Sequence, residues 1–435
     1  MKVIRYPKTE DFYSLLQRPA INAQELHQVV SKILADVRER GDNAVIEYEQ
    51  QFDKVSLSSL EVSREEWDAA AQQVPEDLRK ALELAHENIY KFHQAQIVTP
   101  VHVETQHGIE CWQKAVPIER VGLYIPGGTA PLFSTVLMLV TPAIIAGCKE
   151  IILCTPPAKD GTINPAILVA AQIAACRDAA CRVKIYKAGG VQAIAAMAYG
   201  TESISKVYKI FGPGNQYVTA AKQLVNIDGV AIDMPAGPSE VCVVADDTCI
   251  PQFVAADLLS QAEHGKDSQV VLITTSETAL QQILEQMEQQ LQQLPRKEIA
   301  TLSLENSKAI LVSTTDEAMA LSNAYAPEHL ILASDRCREL AEQVVNAGSV
   351  FLGHYACESA GDYASGTNHT LPTNGHACAY SGVNLGSFMK MVTFQHLTPE
   401  GIDAIGEAVE LMAENEQLHA HKNAMSVRRA ACPSL

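Results

Sequence analysis

No Cys-x-x-Cys pair occurs in this chain of 435 residues, and its 11 cysteines are odd in number. Several sit in apolar company, such as Cys148 and Cys154 in AGCKEIILC. That pattern speaks against a secreted disulfide framework and reads as buried thiols of a reducing compartment. Long apolar runs are missing too. The longest, TVLMLVTPAIIAG (135–147), is broken by Thr141 and Pro142, short of the roughly 18 residues a membrane span needs. The N-terminus, MKVIRYPKTEDFYSLLQRP, has no long apolar core and no cleavage pattern, so no secretory signal is read. Positive charge is in deficit, with 33 Lys and Arg against 51 Asp and Glu and a net charge of -18. Phosphate backbones would repel such a chain, which argues against nucleic-acid binding. The expectation is a soluble, cytoplasmic protein with neither nucleic-acid nor membrane partners.

The chain is long for one core, and 47% of it is hydrophobic, so two or more domains are expected. Residues 1–115 read as mostly helical. AQELHQVVSKILADVRERG has apolar residues at helical spacing and stops on Gly41. From Arg120 short β-branched runs alternate with helical ones. RVGLYIP, EIILCTPP, RVKIYKAGG, KIFGPG and GVAIDMP read as strands. After Pro238 the alternation restarts with VCVVAD, QVVLITTS, KAILVST, HLILAS and SVFLG. This predicts an α/β protein built from two tandem Rossmann-like parallel-sheet units. Helical N- and C-terminal segments flank them, and residues from about 385 onward read as helices. No Gly-, Ser- or Pro-rich linker separates the units, which predicts close packing around a cleft.

Four stretches carry polar groups suited to chemistry. In LLSQAEHGKDS, Gln261 and His264 stand three apart near a helix end; taken alone this reads first as a solvated terminus. In YAPEHL, Glu328 and His329 adjoin immediately before the strand HLILAS. Both groups precede parallel strands, so they share one sheet edge. ESAGDYASGTNHTLPT (358–373) combines Asp362, Asn368 and His369 with glycines and reads as a long loop without periodicity. Its start lies at the opposite edge, but from Gly353 the chain can span roughly 30 Å, enough for Asp362 to return. In ENEQLHAHKNA, His419 and His421 are two apart, so at most one enters a given site. The turns YIPGGTAP, KAGGVQA and FGPGNQ each follow a strand and lead toward a helix, where open α/β sheets bind ligands. None is Gly-x-Gly-x-x-Gly. A zinc hydrolase with Glu328 activating water, a non-catalytic binding protein, and thiol catalysis by Cys111 or Cys148 are the competing readings.

In family order the chain carries RVGLYIPGGTAPLFSTVLM, FGPGN, DMPAGPSE, SQAEHG, PEHL, GDYASGTNH, LPT and LHAHKNA. Together these resemble the histidinol dehydrogenase family over nearly the whole chain from about residue 25. The resemblance implies oxidation of L-histidinol to L-histidine, the last step of histidine biosynthesis. It implies two NAD reduced in succession and one Zn2+ per active site. It implies zinc ligands Gln261, His264, Asp362 and His421, and proton carriers Glu328, for water, and His329, for the substrate hydroxyl. Ser239 and Glu416 would hold substrate together with the ligands and His329. Tyr124, Gln192 and Asn215 would lie along NAD. The domains implied are an arm (1–24), a zinc and substrate domain (25–119 with 238–383), an NAD domain (120–237) and a tail (384–435). The tail would be exchanged in a homodimer with shared sites.

Overall fold

The computed structural model describes residues 1–18, 23–127, 131–177 and 180–431. In chain order the strands are β1 Lys2–Arg5, β2 His102–Gln106, β3 Ile109–Pro117, β4 Arg120–Tyr124, β5 Glu150–Thr155, β6 Arg182–Lys187 and β7 Lys209–Phe211. They continue with β8 Ala231–Ile232, β9 Glu240–Ala245, β10 Gln269–Thr274, β11 Lys308–Leu311, β12 His329–Ala333, β13 Ser349–Leu352 and β14 Met389–Leu397. The chain forms two compact units: Met1–Ala95 with Ile118–Phe388, and Gln96–Pro117 with Met389–Leu435.

The larger unit holds two parallel sheets. One runs β1-β11-β10-β9-β12-β13, the other β6-β5-β4-β7-β8. Counted within each α/β unit, both follow the order 3-2-1-4-5, and β1 extends the first sheet beyond β11. The tandem parallel-sheet architecture expected from the sequence is therefore present, and all ten runs quoted above contain its strands. Strands β5, β9, β10 and β12 are buried along their whole length, as β-branched runs between two helical layers must be. Along β9 the pleat sends Val241, Val243 and Ala245 into one core and Cys242 and Val244 into the other. The first core receives Val254, Leu258 and Leu259 from helix Pro251–Ala262; the second receives Met319, Leu321 and Tyr325 from helix Thr315–Tyr325.

The N-terminal helices pack on the β4–β8 half. Val30, Ile33, Leu34 and Val37 of helix Ala23–Arg40 share a core with Ile194 and Val218. The sequence reading instead groups residues 25–119 with 238–383. Two further expectations are corrected. Residues 1–115 are not helical throughout: β2 and β3 form an antiparallel hairpin turning at Gly108, whose φ of 80° suits glycine. The tail is not wholly helical either, because β14 pairs antiparallel with β3 across its full length. Its sequence, MKMVTFQHL, is rich in strand-forming side chains. This smaller unit is completed by helices Pro399–Asn415, capped by Thr398, and His419–Ala431. Among the described residues no helix is long and apolar enough to cross a membrane.

Candidate active site

A cavity of about 520 Å³ opens in the larger unit between the carboxyl ends of β4 and β7 and the amino ends of β9 and β12. The first wall is the point where strand order reverses in a doubly wound sheet, the usual ligand crevice. Tyr124 ends β4 there, and Asn215 caps helix Gln216–Ile227, its Oδ1 accepting from the N–H groups of Tyr217 and Val218. Backbones approach closely: a Cβ on Gly212, whose φ is 127°, would lie 2.1 Å from the Tyr124 carbonyl. Only glycine fits that position. Residues 128–130 of the turn YIPGGTAP fall outside the described residues.

The opposite wall carries Ser239, Gln261, His264, Glu328, His329 and Asp362. Gln261 and His264 stand at the carboxyl end of helix Pro251–Ala262. Helix Thr315–Tyr325 ends on Ala326 in the left-handed conformation, and Pro327 then leads into Glu328 and His329. That bend lets adjacent residues converge, with His329 Nδ1 3.6 Å from Glu328 Oε2. The Glu240 N–H donates to Glu328 Oε2 at 2.9 Å. Gly348 is required behind them, since a Cβ there would sit 2.5 Å from the Glu328 carbonyl.

Asp362 does return to this edge. It lies on helix Glu358–Tyr363, which corrects the reading of 358–373 as an aperiodic loop. His369 holds its far side, with Nδ1 2.8 Å from the Asp362 carbonyl and Nε2 3.0 Å from Thr135 Oγ1. Sequence reasoning missed Glu358. It is buried, and ligand atoms of His264, Glu358 and Asp362 lie within 4.8 Å of one another. The spacing of four between Glu358 and Asp362 on one helix face was the available signal. Assigned from its hydrogen bonds, the Gln261 amide turns its nitrogen to Glu358 and its oxygen to the Glu240 N–H, 3.0 Å away.

Burial pushes the carboxyls of Glu328 and Glu358 up to about 8 each. Burial alone would lower the His329 imidazole, but Glu328, Glu358 and Asp362 outweigh it and raise it to about 10. Two buried carboxyl groups, Glu328 and Glu358, and the partly buried Asp362 around one imidazole make a site that a cation would stabilise. Asp362 Oδ1 and His329 Nε2, 3.4 Å apart, are buried without a hydrogen-bond partner among the described residues. Nitrogen and oxygen donors of this kind suit zinc, so the residues present fit a divalent ion.

Three expected residues stand apart from this cavity's lining. Gln192 is buried, its amide donating to Glu49 Oε1 at 2.8 Å. Glu416 and His421 belong to the smaller unit, where both are exposed: Glu416 caps helix Pro399–Asn415 and His421 lies in the last helix. Cys148 is buried and its thiol is pushed up to about 12 by burial, the opposite of an activated nucleophile.

A doubly wound crevice facing acid, base and metal-type donors defines a dehydrogenase-like α/β protein. The family model for histidinol dehydrogenase matches residues 16–429. The chain is 62% identical over 428 residues to histidinol dehydrogenase of Bacteroides thetaiotaomicron, covering 98% of this chain and 99% of that one. It is 51% identical over 417 residues to histidinol dehydrogenase of Escherichia coli K12, covering 95% and 94%. The crystal structure of histidinol dehydrogenase from Elizabethkingia anophelis superposes with a TM-score of 0.95 at 54% identity, covering 100% of this chain and 99% of that one. The chain belongs to the histidinol dehydrogenase family, whose members are oxidoreductases of histidine biosynthesis. A zinc hydrolase is not supported.

Proposed function

We propose that this chain oxidises L-histidinol through L-histidinal to L-histidine, using NAD twice and one zinc ion per site. The observation that carries the reading is the meeting of two walls in one cavity: a doubly wound crevice with Tyr124 and Asn215, and an acid–base pair beside His264 and Asp362. In this reading Gln261, His264, Asp362 and the partner's His421 hold the metal, and Ser239 and the partner's Glu416 help hold the substrate. Zinc supplies a fixed positive charge that orients the amine and imidazole of histidinol, and NAD supplies the hydride acceptor. Zinc's positive charge beside Asp362 would offset the carboxylates that raise the His329 imidazole to about 10, leaving it neutral to take the hydroxyl proton of the alcohol and, after releasing it, that of the hydrated aldehyde. Glu328 takes a proton from the water that adds to the aldehyde; its burial raises its basicity for that task. Each oxidation thus releases one hydride and one proton, four electrons in all.

The dimer is part of the proposal. The smaller unit exposes Val103, Met391, Val392, Phe394, Leu411 and Met412, apolar surface that a second copy would cover. The test is incubation of zinc-loaded protein with histidinol and NAD. Two NADH and one histidine per histidinol consumed are expected; no NADH, or NADH without histidine, would overturn the reading.

A further inference from the structure

Arg18, from the N-terminal arm, reaches the amino edge of the first sheet. Its Nε and Nη2 pair with the two carboxylate oxygens of Glu240 at 2.5 and 2.8 Å. The same Nη2 donates to the Tyr325 carbonyl at 2.7 Å, and the guanidinium lies 4.1 Å from the Tyr325 ring centroid. Tyr325 Oη completes the cluster, 3.2 Å from Glu240 Oε2 and 2.9 Å from Gln269 Oε1. One guanidinium therefore grips the first residue of β9 and the last residue of the helix that leads into Pro327, Glu328 and His329.

Those two grips flank the proton carriers. The Glu240 N–H donates to Glu328, and the Glu240 carbonyl lies 3.4 Å from His329 Nδ1. In register, His329 sits opposite Val241, the residue after Glu240. The N–H and the carbonyl that orient the two carriers thus both belong to the residue whose carboxylate Arg18 holds. Glu240 is buried, so a planar, two-pronged partner fixes it in angle as well as distance.

We propose that Arg18 is a positioning residue for the Glu328–His329 pair, acting through Glu240 and Tyr325 without touching substrate. The proposal rests on the catalytic assignment of Glu328 and His329 made above. Displacing a reacting group by about 1 Å can cost ~10²-fold in rate. Arg18→Gln should lower kcat for both oxidations by about 30- to 100-fold, leave KM for histidinol within about threefold, and leave bound zinc unchanged. Arg18→Lys, which keeps the charge and loses the fork, should fall between. In a His329→Asn background Arg18→Gln should cost less than about fivefold more in the oxidation of histidinol to histidinal, the step in which Glu328 takes no part.

The experiment is a double-mutant cycle by steady-state kinetics, well below each variant's Tm, with zinc measured by mass spectrometry. A folded, zinc-loaded Arg18→Gln with wild-type kcat would overturn the proposal, and so would a fully multiplicative loss in the His329→Asn background. If Arg18→Gln fails to fold, Arg18→Lys is run through the same cycle under the same criteria. Full activity in both Glu328→Gln and His329→Asn would sink the catalytic assignment instead, a distinct failure.

Discussion

In the proposed reaction, adjacent proton carriers allow a division of labour between Glu328 and His329. Water activation is needed only in the second oxidation, whereas a hydroxyl proton leaves in both. Glu328→Gln should therefore slow histidinal oxidation by about 10²–10⁴-fold and histidinol oxidation much less. His329→Asn should impair both. Separate assays with each substrate decide, and equal losses in Glu328→Gln would refute the division. At this scale the sequence was partly legible. YAPEHL displays its acid and base openly, since Pro327 marks the bend that brings them together. Glu358 was hidden, because glycines in ESAGDYASG mask a short helix. The Arg18–Glu240 pair was invisible: 222 residues separate its members, and nothing local in either segment announces a buried ion pair.

Among elements, the turn Glu49–Asp53 widens into a π-type helix at the end of Asp42–Tyr48. It seats Glu49 fully inside the protein, with Oε1 accepting from the Gly189 N–H and the Gln192 amide. Burial raises this carboxyl from 4.5 to about 7. The folded state thus holds the proton more tightly than the unfolded chain, so its stabilising contribution is full below about pH 4.5 and is lost as pH rises through about 7. Glu328 and Glu358 act in the same direction. Glu49→Gln should therefore weaken, without abolishing, the fall in stability between pH 5 and about 8. Urea unfolding at both pH values measures it, and an unchanged difference would contradict the argument. The ten parallel strands of the two α/β units were readable because each is a short apolar run between helical ones, and β5, β9, β10 and β12, buried on both faces, are continuously apolar or β-branched over most of their length. The hairpin and β14 were not, because exposed strands carry mixed polar and apolar residues that fit no strict period.

For the whole molecule, the proposed metal donors come from distant segments while both α/β halves have cores of their own. Removing zinc should abolish activity and leave the fold intact, unlike small metal-dependent domains. Circular dichroism after chelation, followed by zinc add-back, checks this; cooperative unfolding would count against it. Shared sites are testable by mixing a His421→Asn chain with an Asp362→Asn chain. If the ligands cross between subunits, one site of each mixed dimer is intact, and about half of wild-type activity per dimer returns. No recovery after confirmed subunit exchange would assign His421 to its own chain's site. The tandem organisation was legible because both repeats obey one alternation. Which strand ends would face the cavity depends on packing over long distances.

That facing has an electrical side. The β4–β8 half turns its carboxyl edge to the cavity, so helices Phe133–Ala146 and Gln216–Ile227 begin there. The other half turns its amino edge, so helices Pro251–Ala262 and Thr315–Tyr325 end there. Helix starts carry partial positive charge and helix ends partial negative charge. One architecture, used once forwards and once reversed, thereby presents a positive rim suited to a dinucleotide pyrophosphate and a negative rim suited to a cation. Salt screens exposed charges more than buried ones. In the proposed reaction, raising ionic strength should therefore increase KM for NAD while leaving zinc affinity nearly unchanged; titrations of both ligands at low and high salt check this, and equal shifts would contradict it.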